Sequence, residues 1–184
     1  MAEHCPGLRL PTLPPWAVNI ALFQVGWWGV VLAAASGQAV WGVLLVALLA
    51  VVHLQRTGWQ AREFQLLLAV ALIGLAYDSL LSWLGWVSYA GSAPGSLAPL
   101  WMVALWVNFA LTLNGALAPL AQRPGLAALL GALGGPLAYW AGAGLGAMTF
   151  LEPLPALLFL GFGWAMLTPA LLVLARALHQ GETP

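Results

Sequence analysis

Asp78 is the only carboxylate that falls inside an apolar run of this chain, and it has more chemistry to offer than any other residue in it. It stands in the stretch 64–86, which holds no lysine or arginine to neutralise it. An acid at that depth costs about 2.5–3.5 kcal/mol on membrane-insertion scales. It must therefore be met by a proton or by hydrogen-bond donors, and Asn108, Gln24, Tyr77 or a tryptophan N–H are suited to that task. Either solution makes it a proton donor, a general acid or an anchor for a ligand, so Asp78 is the expected catalytic residue. The competing reading is that Asp78 ties two helices together through Asn108. Interhelical polar bonds average only about 0.6 kcal/mol in measured membrane cases, a weak reason to keep an acid.

Helical spacing surrounds Asp78 with a polar layer. Gly74, Asp78 and Ser82 recur at i, i+4 and i+8, one small and polar stripe. Trp101, Asn108, Thr112 and Gly115 share a face of the next segment, and Gln24 lies beside Trp27 and Trp28 on the first. Counted from the segment limits, Gln24, Asp78, Asn108, the Gly134-Gly135-Pro136 triplet and Trp164 all fall near one depth, the middle of the membrane. Asn19 and Asn114 sit well round their helices from this layer. Trp27, Trp28, Trp106, Trp140 and Trp164 are too deep for an interfacial belt; they either wall a pocket for a flat or long apolar ligand or fill the bundle. Gln24, Trp27, Trp28, Asn108, Thr112, Tyr139 and Trp164 form the expected ligand-binding set.

The elements that must position these residues follow from composition. Eleven tryptophans, no lysine and five arginines with five acids in 184 residues, at a mean hydropathy of +0.94, describe a chain whose solvent is lipid. Soluble domains carry about 25% charged residues. Six segments are apolar for long enough to cross a membrane: 16–35, 38–55, 64–86, 97–120, 124–145 and 153–178. The connections are short and rich in turn formers. The expected fold is therefore all-α, a polytopic integral membrane bundle of six transmembrane helices over residues 16–178. Tails of 1–15 and 179–184 flank it in the cytoplasm. Arg9, Arg56, Arg62, Arg123 and Arg176 all fall on one side of such a bundle, and the positive-inside rule puts both termini there. The second segment contributes only aliphatic residues at mid-depth and is expected at the periphery.

Several motifs receive a structural reading. His53 and Glu63 flank the connection 56–62, where a solvated interface is expected rather than catalysis. Trp16, Trp41, Trp59, Trp86 and Trp101 lie near segment ends and fit an aromatic belt. Glycines 131, 135, 142 and 146 form small-xxx-small pairs for close helix packing. The Gly134-Gly135-Pro136 triplet either packs in the same way or breaks its helix and frees carbonyls toward a cavity. Ala33-Ala34-Ala35-Ser36 has the small-residue pattern of a cleavage site, but the expectation is that the first segment is retained. The single cysteine, Cys5, excludes an internal disulfide. No CxxC, HExxH, GxSxG or phosphate-binding loop occurs, so no metal site and no cofactor are expected. Five scattered arginines form no tract for nucleic acid.

Four strings, Phe23-Gln24-Val25-Gly26-Trp27, Pro99-Leu100-Trp101 with Leu105-Trp106, Thr112-Leu113-Asn114, and Gly134 through Tyr139, carry a resemblance. Together they are similar to bacterial membrane proteins catalogued as domain of unknown function 2878, over nearly the whole chain. The resemblance implies a one-domain protein of the bacterial inner membrane and implies no activity. Three functions remain open: binding, with or without chemical transformation, of a lipid-like or isoprenoid molecule in a tryptophan-lined pocket; proton-coupled transport of a small solute with partner proteins; and a structural or assembly role beside a membrane-protein partner. Membrane lipids surround the chain in all three.

Overall fold

The computed structural model describes residues 13–180; Cys5 and Arg9, with the rest of 1–12 and 181–184, lie outside the described residues. Six α-helices follow in order: α1 (Pro15–Ala35), α2 (Ala39–Arg56), α3 (Ala61–Trp83), α4 (Leu100–Leu113), α5 (Pro124–Gly144) and α6 (Pro153–Gln180). Proline opens α1, α5 and α6, where its missing N–H costs nothing. Five of the six, all but α4, are long and apolar enough to cross a membrane. Their outward faces are apolar too, with Leu44, Leu133 and Phe162 exposed. That pattern suits a lipid solvent and not water.

The fourth predicted segment, 97–120, is corrected: its helix covers only 14 residues, about 21 Å of rise. Asn114 and Gly115 end it. Asn19 of α1 fills the gap, donating from Nδ2 to the Leu111 carbonyl and accepting the Ala116 N–H, both at 3.0 Å. The chain then makes a short 3-10 helix, Ala118–Gln122, before α5. Short as it is, α4 is the centre of the bundle, packed on α1, α2 and α3 with nine of its residues buried. α2 packs mainly on α1 and α4, and it is the least buried of the long helices. α6 runs through His179 to Gln180, past the predicted boundary at 178.

Consecutive helices alternate in direction, so the described arginines gather at one end of the bundle, the arginine end. The opposite end carries a feature absent from the all-α expectation. The α3–α4 and α5–α6 connections pair there as two antiparallel strands, β1 (Val87–Tyr89) and β2 (Met148–Phe150), with Tyr89 opposite Met148. Val87 and Tyr89, two residues apart, share the buried face of β1. This strand end ties α3 and α4 to α5 and α6.

α5 is continuous through Pro136, so the Gly134-Gly135-Pro136 triplet does not break it. Gly131 and Gly135 instead let α6 approach: a Cβ on Gly131 would overlap the Trp164 carbonyl and the Thr168 side chain, and one on Gly135 the Trp164 indole. Gly142 faces Met148 of β2.

Candidate functional site

Asp78 lies on α3 six residues past Leu72, the middle of the helix, so about 9 Å toward the strand end. It is completely buried. Three donors fill its carboxylate. Tyr89 Oη donates to Oδ1 at 2.8 Å, Tyr139 Oη to Oδ1 at 2.6 Å, and Trp106 Nε1 to Oδ2 at 2.6 Å. They come from β1, α5 and α4, so one side chain of α3 joins three other elements. Burial, and then the neighbouring Asp78 carboxylate, push the Tyr89 phenol well above its ordinary value, which keeps it a neutral donor. The small stripe on α3 makes this possible. A Cβ on Gly74 would overlap the Trp106 indole, so only glycine lets that ring lie flat enough against α3 to reach Asp78.

Of the expected donors, the tryptophan N–H is present and the other three lie elsewhere. Asn108 is two positions from Trp106, about 200° round α4. It faces α1, where its Nδ2 donates to the Phe23 carbonyl at 2.9 Å and Gly26 leaves room for its head. Tyr77, one position from Asp78, donates to the Phe159 carbonyl at 3.1 Å. Gln24 reaches a cavity instead.

That cavity, about 530 Å³, opens between α1 and α5, which scarcely touch one another. Gln24, Trp27 and Trp28 of α1 line it, with Thr112 of α4, Gly134 of α5, and Trp164 and Thr168 of α6. A smaller cavity of about 70 Å³ adjoins it through Phe23, Trp27, Phe109, Ala138 and Trp164, and ends against Trp106 and Tyr139. Trp164 stacks on Trp106, with ring centroids 4.7 Å apart and planes 14° from parallel. Two of the three donors that hold Asp78, Trp106 and Tyr139, are thus part of the smaller cavity's wall, while Asp78 lies behind it. Trp164 Nε1 and Thr168 Oγ1, on two lining residues, have no hydrogen-bond partner among the described residues, and neither has Asn108 Oδ1.

Five of the seven expected binding residues, Gln24, Trp27, Trp28, Thr112 and Trp164, therefore meet around one cavity. Tyr139 closes the smaller one and Asn108 sits outside both. Of the other deep tryptophans, Trp106 is buried and Trp140 points outward, 66% exposed. Trp101, assigned above to the belt, is buried instead and donates to the Ala90 carbonyl at 3.0 Å.

At the arginine end a second polar cluster replaces the solvated interface expected of His53 and Glu63. Glu63 is buried, and its carboxylate accepts from three elements at once. Asn114 Nδ2 donates to Oε1 at 3.0 Å, His179 Nε2 lies 2.9 Å from Oε1, and His53 Nε2 lies 3.1 Å from Oε2. An ionised carboxylate only accepts, so both imidazoles carry their hydrogen on Nε2. Glu63→Ala is expected to lower stability by roughly 1–2 kcal/mol, since both histidines keep some access to water. Glu63→Gln, which keeps an acceptor, should lose less; thermal unfolding in detergent compares the two.

Tyr89 of the Asp78 cluster and His179 of the Glu63 cluster were not singled out from sequence. Tyr89 does carry a local signal, the alternation Val87-Ser88-Tyr89 ahead of Gly91. His179 carries none, because nothing local places residue 179 beside residue 63. Among the described residues, no group of three or more histidines, cysteines and acids is arranged to hold a metal ion.

No curated protein and no solved structure matches the chain. A protein family does match, over residues 16–170, and with it the six helices that enclose Asp78 and the cavity beside it acquire a family: the chain belongs to the proteins of unknown function DUF2878.

Proposed function

We propose that the protein binds a lipid-like molecule, an isoprenoid or another long apolar chain, in the cavity between α1 and α5. The observation that carries this reading is the cavity itself: its volume lies within the range of small-molecule sites, its wall is largely aromatic and aliphatic, and a few polar groups converge on it. The sparse contact between α1 and α5 supports entry from the side, out of the bilayer. Asp78 works from behind the wall. It holds Trp106 and Tyr139 in place, and a proton exchanged between Asp78 and a bound chain would pass through the Tyr139 phenol. In this reading the bundle is a bacterial inner-membrane protein with its arginine end in the cytoplasm.

Gly134 offers a direct test, because a Cβ there meets nothing within 4 Å although the residue lines the cavity. Gly134→Phe should fill the site without straining the helices. Mass spectrometry of small molecules that co-purify with each protein should find a discrete species with the wild type and none with Gly134→Phe, at equal helix content. The same bulk lipid in both preparations would sink the reading.

A further inference from the structure

We propose that the bound molecule carries an anionic headgroup, a phosphate or a carboxylate, and that Arg123 receives it at the arginine end of the bundle. This rests on the binding reading above and adds the headgroup and its orientation. The apolar cavity does not end blindly. Leu120 walls it and also walls a second, more polar cavity lined by Gly115, Gln122 and Arg123. Ala116 and Leu117 face the first cavity and Ala118 the second, so hydrocarbon gives way to polar surface along one short segment.

Charge complementarity names the occupant. The described residues hold three carboxylates, and none is available to Arg123. Asp78 is taken by two tyrosines and a tryptophan, and Glu63 by two histidines and Asn114. Glu152 follows β2 at the strand end, the far side of the bundle. The Arg123 side chain is exposed and has no partner among the described residues, and no other arginine lines either cavity. A guanidinium presents a planar fork that matches carboxylate and phosphate oxygens, and its aliphatic stem is at home on an apolar rim.

The apolar cavity has no charged lining residue and follows α5 from Leu130 to Ala141, about 16 Å of helix. That space suits one chain lying parallel to the helices. With the headgroup at Arg123, the far part of the chain lies toward Trp106 and Tyr139. The Asp78 cluster therefore faces the hydrocarbon and not the headgroup, so any chemistry at that end acts on the chain.

The test uses three probes with the same bromine-tagged dodecyl chain, ending in a phosphate, a carboxylate or an alcohol. Bromine quenches tryptophan, and Trp27, Trp28 and Trp164 line the site. With protein in neutral phosphatidylcholine nanodiscs, the anionic probes should quench saturably and bind about tenfold tighter than the alcohol. Arg123→Gln should bring the anions down to the alcohol's affinity and leave the alcohol unchanged. Whichever anion binds tighter identifies the headgroup. Equal binding of all three probes, unaltered by Arg123→Gln, would overturn the headgroup assignment and leave the binding reading standing. If no probe quenches saturably and Gly134→Phe changes nothing, the binding reading fails as well.

Discussion

Asp78→Ala will cost the folded protein about 3–5 kcal/mol, because it strands three buried donors at once: the Tyr89 and Tyr139 hydroxyls and the Trp106 N–H. The average interhelical polar bond in a membrane is worth about 0.6 kcal/mol, since the chain unfolded within the bilayer also finds partners for its polar groups. Truncation here leaves three donors buried in the folded state, because the carboxylate is completely buried and no second acceptor among the described residues is bonded to any of them. Asp78→Asn should cost less, about 1–2 kcal/mol. Its carbonyl still accepts, and a tyrosine hydroxyl can accept from the amide N–H. Reversible unfolding in mixed micelles, followed by far-UV circular dichroism, separates the two variants. Equal losses below about 1 kcal/mol would mean that the cluster does not hold the bundle together.

Gly74→Leu attacks the same contact from the other side and should cost about 3 kcal/mol, the upper part of the range for overpacking. Its Cβ would fall on the Trp106 indole, which is wedged between α3 and the stacked ring of Trp164 and cannot retreat without disturbing α6. Displacing Trp106 also withdraws its N–H from Asp78. The two substitutions therefore share one broken interaction, and their effects will not add. The double variant should be more stable than the sum of the single losses predicts, by about 1–2 kcal/mol. Additive losses would show that Gly74 and Asp78 act independently. Gly134→Ala is the control: with open space at its Cβ it should be neutral, or stabilising by about 0.5–1 kcal/mol through helix propensity.

The sequence alone determined the solvent, the helix count and most helix limits. Those depend on runs of apolar residues and on turn formers, which are local properties of the chain. α1 and α5 start within one residue of their predicted positions because proline marks both. The fourth segment was overextended because residues 114–120 are apolar enough to continue a helix. The chain leaves the helix at Asn114 and Gly115, and the groups freed there are met by Asn19, nearly a hundred positions away.

Tertiary structure alone decided the partners of each polar group. Spacing placed Asp78, Gly74 and Asn108 correctly on their own helices, but the rotation of one helix against another is not written in either. α4 turns Trp106 toward α3 and Asn108 toward α1, so the tryptophan and not the asparagine meets the acid. Tyr89 arrives only because two loops pair as strands, and Glu63 is buried only because α2, α4 and α6 all end beside it. An apolar chain in lipid announces its helices. Which of its few polar atoms meet depends on packing between surfaces that are apolar nearly everywhere, and that is settled only when the helices assemble.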